Sequence, residues 1–209
     1  MKPFVEETLT QFLDQLSSSN PTPGGGTASA LSGALAASLL LMVCRLTIGK
    51  KGYESIAARL RDEIAQIEPL RAELIALMQR DSEAYARVMD AYKLPKQSDA
   101  EKSTRAHAIQ TALQAATDAP LRVAELCGAI LERARFIAVN GNKNAVSDCG
   151  VGALLADAGM RGAIMNVEIN LGLVEDDAFA TDRRAQSAEL LRGAENVRAE
   201  ITQSIHARQ

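Results

Sequence analysis

From Thr27 to Ile48 the chain carries one charge, Arg45, close to the far end. A helix of that length with no polar face must cross a bilayer or lie inside protein. Its composition decides between the two. Ala30, Gly33, Ala34, Ala37 and Ser38 are small and let neighbouring helices approach closely, and only Leu39–Val43 is strongly apolar. The segment therefore reads as the buried centre of a helical bundle, not a membrane span.

The flanking patterns agree. Val5, Leu9, Phe12, Leu13 and Leu16 place one apolar stripe on a helix over 4–16, which the Ser17–Pro23 turn ends. Gly49 and Gly52 stop the uncharged helix. A long pattern follows over 53–92 (Ile56, Leu60, Ile64, Ile67, Leu74, Met78, Tyr85, Val88), with Pro69 placed to bend or split it. Ser98 and Glu101 have the spacing of a capping box for the next helix. That helix carries Ile109, Leu113, Val123, Cys127, Ile130 and Ile137, with Pro120 as a kink and Gly141 as its end. Two further helices are expected, over 145–173 and 177–206, the second charged with a narrow stripe suited to an outer position. Alanine, the strongest helix former, fills 36 of 209 positions, and no strand-like alternation or internal repeat is visible. The expectation is one all-α domain over 1–209: about six helices around a buried second one.

Composition removes several functions. A hydrophobic fraction of 47% rules out intrinsic disorder. A net charge of −3 and 3% aromatics with no Trp argue against nucleic-acid binding and base stacking. Two distant histidines, His107 and His206, give little material for a metal site or a Ser-His-Asp triad. Cys44, Cys127 and Cys149 form no paired motif and fit a reducing, cytoplasmic setting; the N-terminus lacks the order of a signal peptide.

Three places hold polar groups that packing alone does not explain. Gly24, Gly25 and Gly26 precede the uncharged helix, where they either bare N–H groups to a ligand or make a tight turn. Asp81 falls on the apolar stripe after Leu74 and Met78, so it faces a cleft or a buried ion pair. Asp148 and Asn166, 18 positions apart, point the same way at about 100° per residue, and Asn170 lies about 40° off. Gly152, Gly159 and Gly162 share that face, which serves either a ligand groove or a close helix contact.

Five motifs in order are more telling than any one: Pro21-Thr-Pro-Gly-Gly-Gly-Thr-Ala28, Thr47-Ile-Gly-Lys-Lys-Gly-Tyr53, Leu94-Pro-Lys96, Gly141-Asn-Lys-Asn-Ala-Val-Ser-Asp148 and Asn166-Val-Glu-Ile-Asn-Leu171. Together they resemble the cyclodeaminase/cyclohydrolase family. That family comprises the C-terminal domain of formiminotransferase-cyclodeaminase and stand-alone methenyltetrahydrofolate cyclohydrolases. The resemblance spans about residues 4–177 and departs where Gly52 separates the lysine pair from Tyr53.

The resemblance implies an all-helical dimer that acts on a tetrahydrofolate derivative, with no metal and no tightly bound cofactor. With no formiminotransferase domain in the chain, cyclohydrolysis of 5,10-methenyltetrahydrofolate is the first expectation. Cyclodeamination of 5-formiminotetrahydrofolate is the second, and a non-catalytic folate- or partner-binding bundle the third. Asp148 is expected as the leading acid/base and Asp81 as the second carboxylate. Asn142, Asn144, Asn166 and Asn170 would orient the pterin or the bridging carbon, and Gly24–Gly26 would let folate lie against backbone. Lys50, Lys51 or Lys96 would hold the glutamate carboxylates of the folate tail.

Overall fold

The structure, a computed structural model, describes residues 3–208. Six α-helices account for it: α1 (Leu9–Leu16), α2 (Gly25–Thr47), α3 (Ala57–Tyr92), α4 (Asp99–Asn140), α5 (Val146–Leu171) and α6 (Asp177–His206). Three single 3-10 turns join them, and no strand occurs among the described residues.

Helix α2 runs through the bundle and packs on α3, α4 and α5. Its small residues do what their size allows. A Cβ on Gly33 would stand 2.6 Å from Cys127 Sγ of α4, and one on Gly159 of α5 would stand 2.9 Å from the Ser29 carbonyl of α2. The glycines of α5 thus face α2: the helix-contact reading holds for Gly152, Gly159 and Gly162, each of which meets an α2 atom. Leu40, Leu41, Leu60, Ile67, Leu74, Ile130, Leu131 and Met160 fill the surrounding core.

The outer side of α2 is different. Leu35 and Leu46 are about half exposed, at 47% and 51%. On neighbouring α5, Val151, Leu154, Met165 and Ile169 are exposed as well. Ser32 Oγ donates to the Leu155 carbonyl at 2.8 Å and ties the two helices side by side. The result is one apolar surface running along both.

Both inner prolines lie within unbroken helices, so Pro69 does not split α3. The capping box at Ser98 is formed: Glu101 N–H donates to Ser98 Oγ, and Ser98 N–H donates to the Glu101 carboxylate. The N-terminal helix is shorter than the stripe predicts. Thr8 and Gln11 build a second capping box that starts α1 at Leu9, and Val5, Leu9 and Leu13 end up exposed while Phe4 and Phe12 are buried.

Candidate functional site

At the N-terminal end of α2 the helix begins without a side-chain cap of its own, because Gly24 has none to give. The first turn of a helix leaves N–H groups unpaired and carries partial positive charge. Asp81 of α3 supplies the missing carboxylate. Thr27, fully buried, donates its hydroxyl to Asp81 Oδ2 at 3.0 Å, with the Met78 carbonyl at 3.3 Å and Ser82 Oγ at 3.4 Å. Gly26 makes the approach possible, since a Cβ there would stand 2.6 Å from Asp81 Cγ. Burial pushes the Asp81 carboxyl above the usual carboxylate range, against the pull of its Thr27 hydrogen bonds.

Asp81 stands in the wall of a cleft of about 330 Å³. Pro21, Thr22 and Gly24–Gly26 form one side, Asn166, Ile169 and Asn170 of α5 another, and Tyr85, Met89 and Tyr92 of α3 a third. Asp81 is its only charged lining group among the described residues. Asn166 Nδ2 donates to the Gly162 carbonyl at 2.8 Å and lies over Gly25. Asn170 Nδ2 donates to the Ala116 carbonyl of α4 at 2.8 Å.

A second polar cluster occupies the other end of α2. Asn142 is its hub. Its N–H donates to Thr47 Oγ1 at 2.8 Å, its Nδ2 donates to the Leu46 carbonyl at 3.3 Å, and its Oδ1 accepts from Lys50 Nζ at 2.8 Å and from Asn144 N–H at 3.1 Å. Tyr53 Oη accepts from Lys143 N–H at 3.2 Å. Gly49 and Gly52 take φ of 81° and 90°, which lets the lysine loop turn back on the helix. Asp148 lies half-buried in the first turn of α5.

The candidates thus form two groups. Gly24, Gly25, Gly26, Asp81, Asn166 and Asn170 come together in the cleft. Lys50, Asn142 and Asn144 come together at the far end, with exposed Lys51 in the same loop. Helix α2 separates the groups by about 34 Å, at ~1.5 Å per residue over 23 residues. Within one chain Asp148 and Asn166 stand about 27 Å apart along α5 by the same rise. Lys96 is exposed in the α3–α4 connection, four residues beyond Tyr92, and does not line the cleft. Sequence reasoning missed Thr27, Tyr85 and Tyr92. Thr27 is one of five hydroxyl residues in α2 and nothing local singles it out, and the tyrosines carry no signal that separates a cleft wall from core.

Other concavities hold less chemistry. One of about 320 Å³ between α4 and α6 is largely apolar around Gly128, Leu190 and Val197. Another contains Glu63, 1% exposed but already paired with Arg59 at 2.9 Å and Arg133 at 3.4 Å.

Comparison with known proteins agrees with this fold. The family model described as formiminotransferase-cyclodeaminase matches residues 8–189. A methenyltetrahydrofolate cyclohydrolase of Methylorubrum extorquens is 44% identical over 202 residues, 97% of each chain. The formimidoyltransferase-cyclodeaminase of Sus scrofa is 33% identical over 98% of this chain, which spans 38% of that longer protein. The crystal structure of a formiminotetrahydrofolate cyclodeaminase from Thermotoga maritima superposes with a TM-score of 0.87 at 30% identity, over 97% of this chain and 98% of that one. With that match running through both clusters and every helix between them, the chain belongs to the formiminotransferase-cyclodeaminase family.

Proposed function

We propose that this protein is a methenyltetrahydrofolate cyclohydrolase. The observation that carries the reading is the 44% identity, end to end, with a single-domain cyclohydrolase. The cleft supports it chemically. The methenyl bridge of the substrate is an amidinium carbon shared between N5 and N10, and it carries positive charge. A cleft whose one charged group among the described residues is a carboxylate, with no lysine or arginine among them in its lining, suits such a cation.

In this reading Asp81 receives a proton from the water that attacks the bridging carbon. The carbon becomes tetrahedral between the two nitrogens. Its bond to N5 then breaks, the carbonyl forms on N10, and N5 leaves with a proton. Burial raises this carboxyl above the usual carboxylate range, so it holds the proton it accepts more readily than an exposed carboxylate would before returning it. Gly24–Gly26 let the ring lie against backbone.

The reading extends to a cytoplasmic homodimer. Its support is the apolar surface along α2 and α5, where Leu35, Val151, Leu154, Met165 and Ile169 are 47–70% exposed. A two-fold axis perpendicular to α2 would set the cleft of one copy beside the lysine loop and Asp148 of the other. Lys50, Lys51 and Lys96 would then hold the tail carboxylates, Asp148 would serve as a second acid/base, and Asn144 would help orient the bridge. Asn142, engaged at both ends, would act by holding Lys50.

The second reading, cyclodeamination of 5-formiminotetrahydrofolate, is favoured by the close superposition on the Thermotoga maritima enzyme. One experiment separates them. Loss of the methenyl chromophore is followed with 5,10-methenyltetrahydrofolate, and ammonia is assayed with 5-formiminotetrahydrofolate. Fast loss without ammonia is the expected result. Ammonia with chromophore gain would replace the first reading by the second.

A further inference from the structure

Pro120 sits inside α4 and has no N–H, so the carbonyl four residues before it, on Ala116, has no helical donor. Ala116 is 7% exposed, so water does not readily replace that donor. The side chain of Asn170 fills the gap from the next helix, with Nδ2 2.8 Å from the Ala116 oxygen. This contact also fixes which way the amide points. Turned over, it would set oxygen against oxygen. Asn166 is held in the same sense by the Gly162 carbonyl. Each amide therefore gives one of its two Nδ2 hydrogens to backbone, which fixes where its oxygen points, and neither oxygen has a donor among the described residues. Both residues line the cleft one helical turn apart, beside Asp81.

We propose that Asn166 and Asn170 present a fixed pair of carbonyl acceptors, that the cleft consequently takes the donor edge of its ligand, and that Pro120 is the positioning residue that fixes Asn170. The ligand class is a planar heterocycle with adjacent ring N–H and amino donors, a 2-aminopyrimidinone. Resting on the folate reading above, this assigns the amino edge of the pterin to the two amides.

The test compares two fluorescent ligands, pterin and lumazine, by direct titration. Lumazine replaces the 2-amino donor by a carbonyl and would meet acceptor with acceptor. Sites built to receive a donor reject the analogue that lacks it, so pterin should bind about tenfold or more tightly. Asn170→Ala should bring that ratio toward unity and raise KM more than it lowers kcat. Pro120→Ala returns an N–H to the Ala116 carbonyl and frees the Asn170 amide. It should raise Tm and still reduce the ratio severalfold, a combination that a merely structural role for Asn170 does not produce. An unchanged ratio in both variants overturns the proposal, as does equal or tighter binding of lumazine, or no binding of either ligand, in the unmodified protein. Discrimination without folate turnover would sink the cyclohydrolase reading and leave this one standing; turnover without discrimination would do the reverse.

Discussion

Gly26→Ala is the sharpest probe of the link between α2 and Asp81. The added Cβ would stand 2.6 Å from Asp81 Cγ and 2.7 Å from Oδ2, where ordinary contact begins at 3.4 Å. The carboxylate must retreat by roughly 1 Å, and a displacement of that size at a reacting group costs about 100-fold in rate. That corresponds to about 2.7 kcal/mol of lost transition-state stabilisation. Stability should behave differently. Alanine gains about 1 kcal/mol over glycine in a helix, against about 1–3 kcal/mol for crowding. The net change stays within about 2 kcal/mol, so a folded protein with kcat/KM reduced about 100-fold is expected. Initial rates on 5,10-methenyltetrahydrofolate and a thermal melt on the same preparation measure both. Gly193→Ala is the control, since nothing lies within 4 Å of its added Cβ. It should stabilise by up to about 1 kcal/mol and leave the rate alone. A Gly26→Ala enzyme with kcat/KM within about threefold of the unmodified one would refute the reasoning, because the catalytic carboxylate could not then be the one that Gly26 admits.

Three further outcomes are expected. Burial raises the Asp81 carboxyl, so the folded state holds that proton more tightly than the unfolded chain. Its charge therefore lowers stability in full above the folded pKa, and the penalty fades as pH falls from there to the ordinary value of about 3.9, below which it is gone. Asp81→Asn should raise Tm at pH 7, give no gain near pH 3 (roughly the protonated limit), and abolish turnover. Cys44, Cys127 and Cys149 are buried thiols pushed up to about 12 by desolvation, so a thiol reagent at mild alkaline pH should titrate none before unfolding and all three after it. Leu35→Glu with Leu154→Glu should convert a dimer to a monomer by light scattering, and an unmodified protein that already runs as a monomer would remove the shared-site assignment of Asp148.

The helices were legible because their signals are local. Ser98 and Glu101 announce a capping box by spacing alone, and the lone charge of 27–48 forces α2 inward whatever surrounds it. Asp81 was legible for a related reason: an acid on an apolar stripe breaks a rule that only tertiary structure can excuse. What the sequence could not give is which helix ends meet. Angular arithmetic put Asp148, Asn166 and Asn170 on one face, but angle says nothing of the distance along α5, and the glycines between them turned out to face α2. The Asn170 contact lay further out of reach. It needs Pro120 to leave the Ala116 carbonyl without a donor and α5 to pass α4 at that turn, so a residue 50 positions away fixes what the amide does. A proline that reads from sequence only as a kink leaves, in the fold, the Ala116 carbonyl open to a donor from another helix. It holds one wall of the cleft in register with Asp81, and replacing it is the way to ask whether that register matters.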